Sequence, residues 1–235
     1  MNEQIIPQKY KIVSGSTLKL IAVITMLIDH TGSVLVRCLA ERDAKYIALY
    51  NLLRTIGRVA FPIYAFLLTE GFAHTHDRKK YGTNLLVFAV VSEIPWNFEH
   101  SGKIFYASQN VFFTLFLGFL GMYCYEKYKD NSKSLAVSLT VLFAVSVLLK
   151  CDYGCLGYTY ILMLYVLRDK QILRNIIGAG TTGSMWKGAA AFVPIALYNG
   201  KRGFIKGKVM KYTFYLIYPV HMLILYFIKK SVFGY

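Results

Sequence analysis

The chain has 235 residues, of which 56% are hydrophobic and only 17% are charged, and its mean hydropathy is +0.43 with a formal net charge of +15. This is more apolar than an ordinary soluble domain, and the cations stand in short clusters between long apolar runs, which indicates membrane anchoring rather than nucleic-acid binding. We therefore expect an all-α, polytopic integral-membrane helical bundle, one domain over residues 1–235, with the lipid bilayer of the plasma membrane around it.

The first apolar run carries ionisable residues within it. Residues 18–32 read LKLIAVITMLIDHTG, and at about 100° per residue Lys19 and His30 fall on one helix face, about 16 Å apart. Ionisable side chains at membrane depth are costly, so they face protein or water and mark a functional site. The alternative is that His30 and the adjacent Asp29 only hold helices together. Asp29 and His30 also interrupt the run, which favours a retained span over a signal peptide.

Further apolar runs follow at lengths that suit helical crossings of about 20 residues. They predict about nine transmembrane helices, although the glycine-rich seventh and eighth runs are short for two crossings. Between the first two runs, residues 42–53 have the helical spacing of apolar residues that is typical of an interfacial helix. The nine runs are 17–37, 54–73, 83–99, 110–127, 134–150, 154–168, 171–186, 187–199 and 210–229.

The basic residues predict the orientation of these spans. With the N-terminus inside, the cytoplasmic loops and helix ends hold 16 of the 27 Lys and Arg residues, and the outer side holds ten. The positive-inside rule therefore favours an N-terminus inside and a C-terminus outside. An eight-span alternative would place the most basic loop, NGKRGFIKGK, outside, and the same rule disfavours it.

Polar residues from four predicted spans reach one central layer. His30, Arg58, Glu93 and His221 each lie about 10 to 15 residues from the cytoplasmic end of their helix. Four ionisable groups at matching depth predict the lining of a shared cavity. Three of them stand close to prolines that are expected to bend the helices, namely Pro62, Pro95 and Pro219.

These residue types suit proton transfer. A buried histidine can take a proton from an incoming hydroxyl or amine, so His30 is the predicted general base. Asp29 or Glu93 is expected to orient it, and Arg58 is expected to stabilise a developing oxyanion or to hold a phosphate. His221 completes the predicted catalytic set.

Two further groups of residues are predicted to bind ligands. The cytoplasmic run YNGKRGFIKGK offers glycines and cations that suit the phosphate of a nucleotide, and its alternative role is purely topogenic. Asn110 is either a substrate-binding residue or a helix N-cap. The predicted cofactor-binding residues are Lys19, Tyr198, Asn199, Lys201 and Arg202, and the predicted substrate-binding residues are Asn97, Asn110 and Tyr218.

No metal site is predicted. The four cysteines form no CxxC pair, and apolar packing is their expected role. His74 and His76 lie in a short loop beside Arg78 and Lys79, where histidines are usually solvated.

Together, the motifs of this chain resemble the TraX family, which is named for an enzyme that acetylates the N-terminus of conjugative pilin. The resemblance covers nearly the whole chain through LKLIAVITMLIDHTG, GRVAFPIYAFLLTEGFAHTHDRKKY, FAVVSEIPWNF, NVFFTLFLG, YNGKRG and KYTFYLIYPVHMLIL. That family is similar to the membrane acyltransferases of surface sugars, whose first span has a basic residue, ten residues and a catalytic histidine. Lys19 and His30 match that spacing, with lysine in place of arginine.

The resemblance implies an acyltransferase that uses acetyl-CoA from the cytoplasmic side. It does not identify the acceptor. A hydroxyl or amine of a sugar, a peptide or a pilin-like protein would each fit. Two other classes remain: a transporter or channel in which His30, Asp29, Glu93 and His221 form a proton relay, and a structural membrane subunit.

Overall fold

The computed structural model describes residues 7–181 and 186–234. Over these two ranges the chain is built from helices, and two isolated β-bridges, Val13 with Tyr198 and Gln109 with Cys151, tie loops together. The α-helices are α1 (Gly15–Thr31), α2 (Arg37–Arg42), α3 (Ile47–Gly57), α4 (Ala60–His74), α5 (Arg78–Ser101), α6 (Val111–Tyr128), α7 (Ser132–Leu148), α8 (Gly154–Val166), α9 (Gln171–Gly180), α10 (Trp186–Ala189), α11 (Phe192–Ala196) and α12 (Gly207–Phe233).

The start of α1 is fixed by a side-chain cap and by a distant loop. The Ser14 hydroxyl accepts a hydrogen bond from the Thr17 N–H, which satisfies one of the free amides of the first turn. The Gly15 and Ser16 amides donate to the Lys201 and Arg202 carbonyls, each at 2.8 Å. The loop after α11 is therefore part of the N-terminal end of α1.

The first long helix does not end at His30. A π-helical segment, Gly32–Val36, joins α1 to α2, so the helical stretch runs from Gly15 to Arg42. Wider turns of this kind occur often beside functional sites, because they change which side chains share a face.

The second long helical stretch is interrupted just before Pro62. α3 and α4 are separated only by Arg58 and Val59, and Pro62 stands in the first turn of α4. A proline cannot donate to the carbonyl four residues earlier, which here belongs to Arg58. The helix predicted for residues 42–53 is present as α3, but it continues into α4 within one helical stretch, Ala44–His74.

Within residues 7–181 and 186–234, three helical stretches are long and apolar enough to cross a membrane: Gly15–Arg42, Ala44–His74 and Gly207–Phe233. In the region of the seventh and eighth predicted spans, α9 has 10 residues, and α10 and α11 have 4 and 5. At about 1.5 Å per residue α9 is about 15 Å long, half of the hydrocarbon thickness of a bilayer. Nine crossings and the inside location of the N-terminus remain predictions.

The core lies between α1, α4, α6 and α8. Leu18, Ile63, Phe66 and Ile161 are nearly inaccessible to solvent within it. The backbone of α6 approaches α8 closely at Gly118, where an added Cβ would lie 2.6 Å from the Ile161 side chain. This close contact helps to hold the helices that surround the cavity described below.

Several predicted cytoplasmic loops meet at one end of the bundle, which we call the basic end. The first turns of α1, α5 and α12 contribute Lys19, Lys80 and Lys211 to one cavity there. Lys11 contacts Gln171 at the start of α9, with 3.3 Å between Nζ and Oε1. The opposite end of the bundle includes Arg42, which donates to the Phe233 carbonyl at the end of α12.

Candidate functional site

His30 of α1 and His221 of α12 form a contact at the centre of the bundle. His30 Nδ1 lies 2.6 Å from His221 Nε2, and the two imidazole rings are nearly parallel, at 11°, with 4.8 Å between centroids. The Tyr218 ring packs edge-on against both, at 6.1 Å and 5.6 Å. Two residues that the sequence placed at similar depth are therefore direct neighbours.

The hydrogen bonds around this pair define which nitrogens carry protons. His221 Nδ1 lies 2.8 Å from the Ile217 carbonyl, which can only accept, so this nitrogen carries a proton. With both rings neutral, His221 Nε2 then accepts from the His30 Nδ1–H. The remaining nitrogen, His30 Nε2, is left unprotonated and can act as a base.

His30 faces a cavity of about 650 Å³, which we call the central cavity. This volume is within the range of about 300 to 1,000 Å³ found for small-molecule sites. Around His30 the lining is mainly apolar and aromatic, with Met26, Tyr64, Phe112, Tyr153 and Tyr218 among its residues.

The central cavity extends from His30 to the basic end of the bundle. Lys19, about 16 Å from His30 along α1, lines it together with Arg202 and Lys211. The charged side chains at this end are the cations Lys19, Lys80, Arg202 and Lys211 and the acids Glu70 and Asp77. The excess of positive charge suits an anionic ligand.

Asp29 faces away from the histidine pair. Its carboxylate lies 2.6 Å from Arg54 Nη1 and 3.5 Å from Arg58 Nη2, which joins α1 to α3. Gly57 makes this possible, because an added Cβ there would overlap the Asp29 side chain. The position beside His30 that was expected for Asp29 or Glu93 is occupied by His221.

Glu93 and Asn110 form a separate contact between α5 and α6. Asn110 Nδ2 donates to Glu93 Oε2 at 2.6 Å and to the Ala89 carbonyl at 2.8 Å. Asn110 Oδ1 caps α6 by accepting from the Phe112 N–H. Both ends of the Asn110 amide are thus used within the protein.

The other predicted binding residues are distributed between several places. Tyr198 and Arg202 line the central cavity, whereas Asn199 lines a smaller neighbouring cavity. Lys201 is exposed beside them, and its backbone amide donates to Asn199 Oδ1. Asn97 is buried and donates to the Ile104 carbonyl in the loop after α5.

Asp152 is a lining residue that the sequence reasoning missed. It lies in the connection between α7 and α8, where its backbone carbonyl accepts from the Thr114 hydroxyl and its carboxylate accepts from the Tyr153 N–H. Burial raises the pKa of the Asp152 carboxyl to about 6. The signal in the sequence was a single acid between two apolar runs, which is also the pattern of a solvated loop.

Other residues of the site were assigned a different role in the sequence analysis. Lys80 and Lys211 were counted only as charges that set topology, and Arg54 was assigned to a helix end. Their spatial roles depend on which helices pack together. Among the residues that the structure describes, no group of three or more His, Cys, Asp or Glu side chains is arranged to hold a metal ion.

Comparison with known proteins gives two matches. The family described as TraX protein matches residues 14–229. A curated relative from Dichelobacter nodosus, named "Probable fimbrial assembly protein FimC, serogroup H1", is 28% identical over 242 residues, which covers 90% of this chain and 94% of the relative. No solved structure matches the chain.

Proposed function

The chain belongs to the TraX family, and from that premise we propose that it is a multi-pass plasma-membrane acyltransferase. It moves an acetyl group from cytoplasmic acetyl-CoA to a hydroxyl or amine of an exported or cell-surface acceptor. The observation that carries this proposal is the central cavity, which leads from a cationic end at Lys19, Arg202 and Lys211 to the unprotonated Nε2 of His30. A negatively charged donor with a reactive group at its far end has the matching shape and charge.

In the proposed reaction, His30 Nε2 removes the proton from the acceptor hydroxyl or amine. The acceptor oxygen or nitrogen forms a bond to the acetyl carbonyl carbon, and the carbon–sulfur bond of the thioester breaks. The CoA thiolate then takes the proton from His30, which returns to its neutral form. Protons and electrons balance without a metal or a redox partner.

His221 assists by its position. When His30 becomes an imidazolium, its Nδ1–H remains hydrogen-bonded to the neutral His221 Nε2 at 2.6 Å. His221 is itself held by its bond to the Ile217 carbonyl. The neutral His221 imidazole thus orients His30, as a carboxylate orients the catalytic histidine of a Ser-His-Asp triad.

The acceptor is proposed from the relative rather than from the site. The name of the Dichelobacter nodosus protein refers to fimbrial assembly, which favours a pilus or fimbrial subunit as the substrate here. A sugar or another peptide would present the same hydroxyl or amine.

The test is acetyl-CoA turnover by purified protein in the presence of acceptor extracts. The release of the CoA thiol is the measured signal. General-base catalysis contributes about 10²- to 10⁴-fold to rate, so His30→Gln is expected to lower kcat by at least that order and to leave acetyl-CoA binding nearly unchanged. His76→Gln, at an exposed loop position, is the matched control and should retain full activity.

Near-normal turnover by His30→Gln would contradict the assignment of the base. A transporter would give a different pattern: no thiol release with any acceptor, together with a proton flux in proteoliposomes that is lost in His30→Gln.

A further inference from the structure

A second cavity, of about 260 Å³, lies beside the central cavity at the basic end. It is formed by the start of α9, by the middle of α4 and by the segment before α1, with Arg174, Phe66 and Lys11 among its lining residues. Its volume is below that of a complete small-molecule site. It therefore suits one end of a ligand.

Arg174 gives this cavity its chemistry. The residue has only 6% relative exposure, and its guanidinium lies 4.9 Å from the centre of the Phe66 ring. Among the described residues it makes one hydrogen bond, from Nε to Asn175 Oδ1 at 3.2 Å, and it has no carboxylate within ion-pair distance. A buried guanidinium without a counter-ion is costly, and its planar fork fits phosphate oxygens.

The other charges around the cavity leave a positive excess. Lys11 and Arg168 line it together with Arg174, against the single carboxylate of Glu70. Arg168 is paired at 3.4 Å with Glu126, and Lys11 donates to Gln171. Glu70 interacts with Arg174 electrostatically but outside ion-pair distance. Arg174 is thus a buried cation of this cavity whose guanidinium no described carboxylate contacts, and a phosphate could contact it.

The two cavities share part of their lining. Glu70, Tyr198 and Gly200 contribute to both. A ligand that fills the basic end of the central cavity therefore reaches the second cavity by passing these three residues.

We propose that the second cavity, around Arg174, binds a phosphate monoester, namely the 3′-phosphate at the nucleotide end of the coenzyme A donor. The diphosphate of the same donor would then lie at the cations of the central cavity, with the thioester at His30. This inference rests on the proposed function, because it assigns a binding site to the nucleotide end of the acetyl-CoA donor.

The experiment compares the binding of coenzyme A and 3′-dephospho-coenzyme A to the purified full-length protein in lipid nanodiscs. Charge-assisted hydrogen bonds to phosphate predict that the wild type binds coenzyme A about tenfold more tightly or better. Arg174→Gln should lower the affinity for coenzyme A to that of the dephospho compound and leave the latter unchanged. Arg174→Lys keeps the charge without the planar fork, so its affinity for coenzyme A should lie between those of the wild type and Arg174→Gln.

Lys208→Gln is the matched control, because it removes an exposed cation from the same end of the bundle and should preserve the ratio of the two affinities. Equal affinities in the wild type, or a preference that survives Arg174→Gln, would overturn the assignment. If Arg174→Gln does not fold, Arg174→Lys decides: a ratio of the two affinities equal to that of the wild type would overturn the assignment, and a lower ratio would support it.

A separate arm uses inorganic phosphate. If it raises the melting temperature of the wild type but not of Arg174→Gln, while the two coenzyme A compounds bind equally, the cavity takes a free phosphate and the donor assignment is wrong. If neither coenzyme A compound binds, the proposed function itself fails.

Discussion

At the scale of single residues, the hydrogen bond between His30 and His221 is the contact on which the proposed chemistry depends. We expect His221→Leu to lower kcat by about 10- to 100-fold, because a hydrogen bond to a charged group contributes about 1.5 to 3 kcal/mol. The KM for acetyl-CoA should stay unchanged, since His221 does not line the central cavity. Steady-state kinetics on purified protein separate the two constants.

The conservative variant His221→Gln distinguishes a role of His221 in positioning His30 from a role in folding. His221→Gln keeps an acceptor that can face His30 Nδ1 and should recover part of the lost kcat, with a change in the pH profile. Equal losses in both variants, accompanied by a lower melting temperature, would indicate a structural role alone.

Asp152 predicts a pH dependence of stability. The folded-state pKa of the Asp152 carboxyl, about 6, is above its ordinary value of 3.8. Burial of this carboxyl therefore costs no stability below pH 3.8, and the cost grows as the pH rises from 3.8 to about 6. Asp152→Asn preserves the acceptor for the Tyr153 N–H and removes this cost of ionisation. We expect it to stabilise the protein at pH 8 by up to about 3 kcal/mol and to have little effect at pH 4.

The measurement is thermal unfolding in detergent at both pH values. A stabilisation of the same size at pH 4 and pH 8 would show that packing, rather than ionisation, is responsible.

At the scale of helices, the crossing of α1 and α3 depends on Gly57. A methyl group there would overlap the Asp29 side chain and displace it from Arg54. We expect Gly57→Ala to destabilise the protein by about 1 to 3 kcal/mol, the usual cost of overpacking. The shift in melting temperature reports it.

Gly180→Ala, in α9, is the control for this substitution. No atom of the described residues lies within 4 Å of an added Cβ there, and alanine is the better helix former. This variant should be neutral or slightly stabilising, and a loss equal to that of Gly57→Ala would refute the steric explanation.

Local sequence patterns predicted most of the helices but not how the helices join and pack. The apolar runs anticipated α4, α5, α6, α7, α8 and α12, because length and hydropathy are properties of the chain itself. The interruption at Arg58 and Val59 lies where Pro62 leaves the Arg58 carbonyl without its helical donor. The joining of α3 to α4 was not predicted, since apolar spacing cannot distinguish an interfacial helix from the start of a long one.

At the scale of the whole molecule, the charge distribution predicts which end of the bundle faces the cytoplasm. α12 begins directly after Lys206, at the basic end, and Ser231 lies in its last turn, near the contact between Arg42 and Phe233. In a cysteine-free background and intact cells, an impermeant thiol reagent should label Ser231→Cys and not Lys206→Cys. Labelling at position 206 alone would reverse the orientation.

The positions of the ionisable residues within apolar runs were predictable from the sequence, and their pairings were not. His30 and His221 could be found because each is an ionisable residue within an apolar run. That they touch, while Asp29 pairs with Arg54 and Glu93 with Asn110, depends on how helices distant in sequence pack together. One sequence contains no direct record of those contacts, so the carboxylate expected beside His30 was replaced by a second imidazole.

The separation of the paired residues along the chain has a consequence for biosynthesis. His30 and His221 are 191 positions apart, and the first turn of α1 is completed by a loop 186 positions away. A chain is made from its N-terminus, so the His30 imidazole meets its hydrogen-bond partner only after α12 has been synthesised. The histidine pair therefore forms late, and a chain that stops before α12 cannot form it.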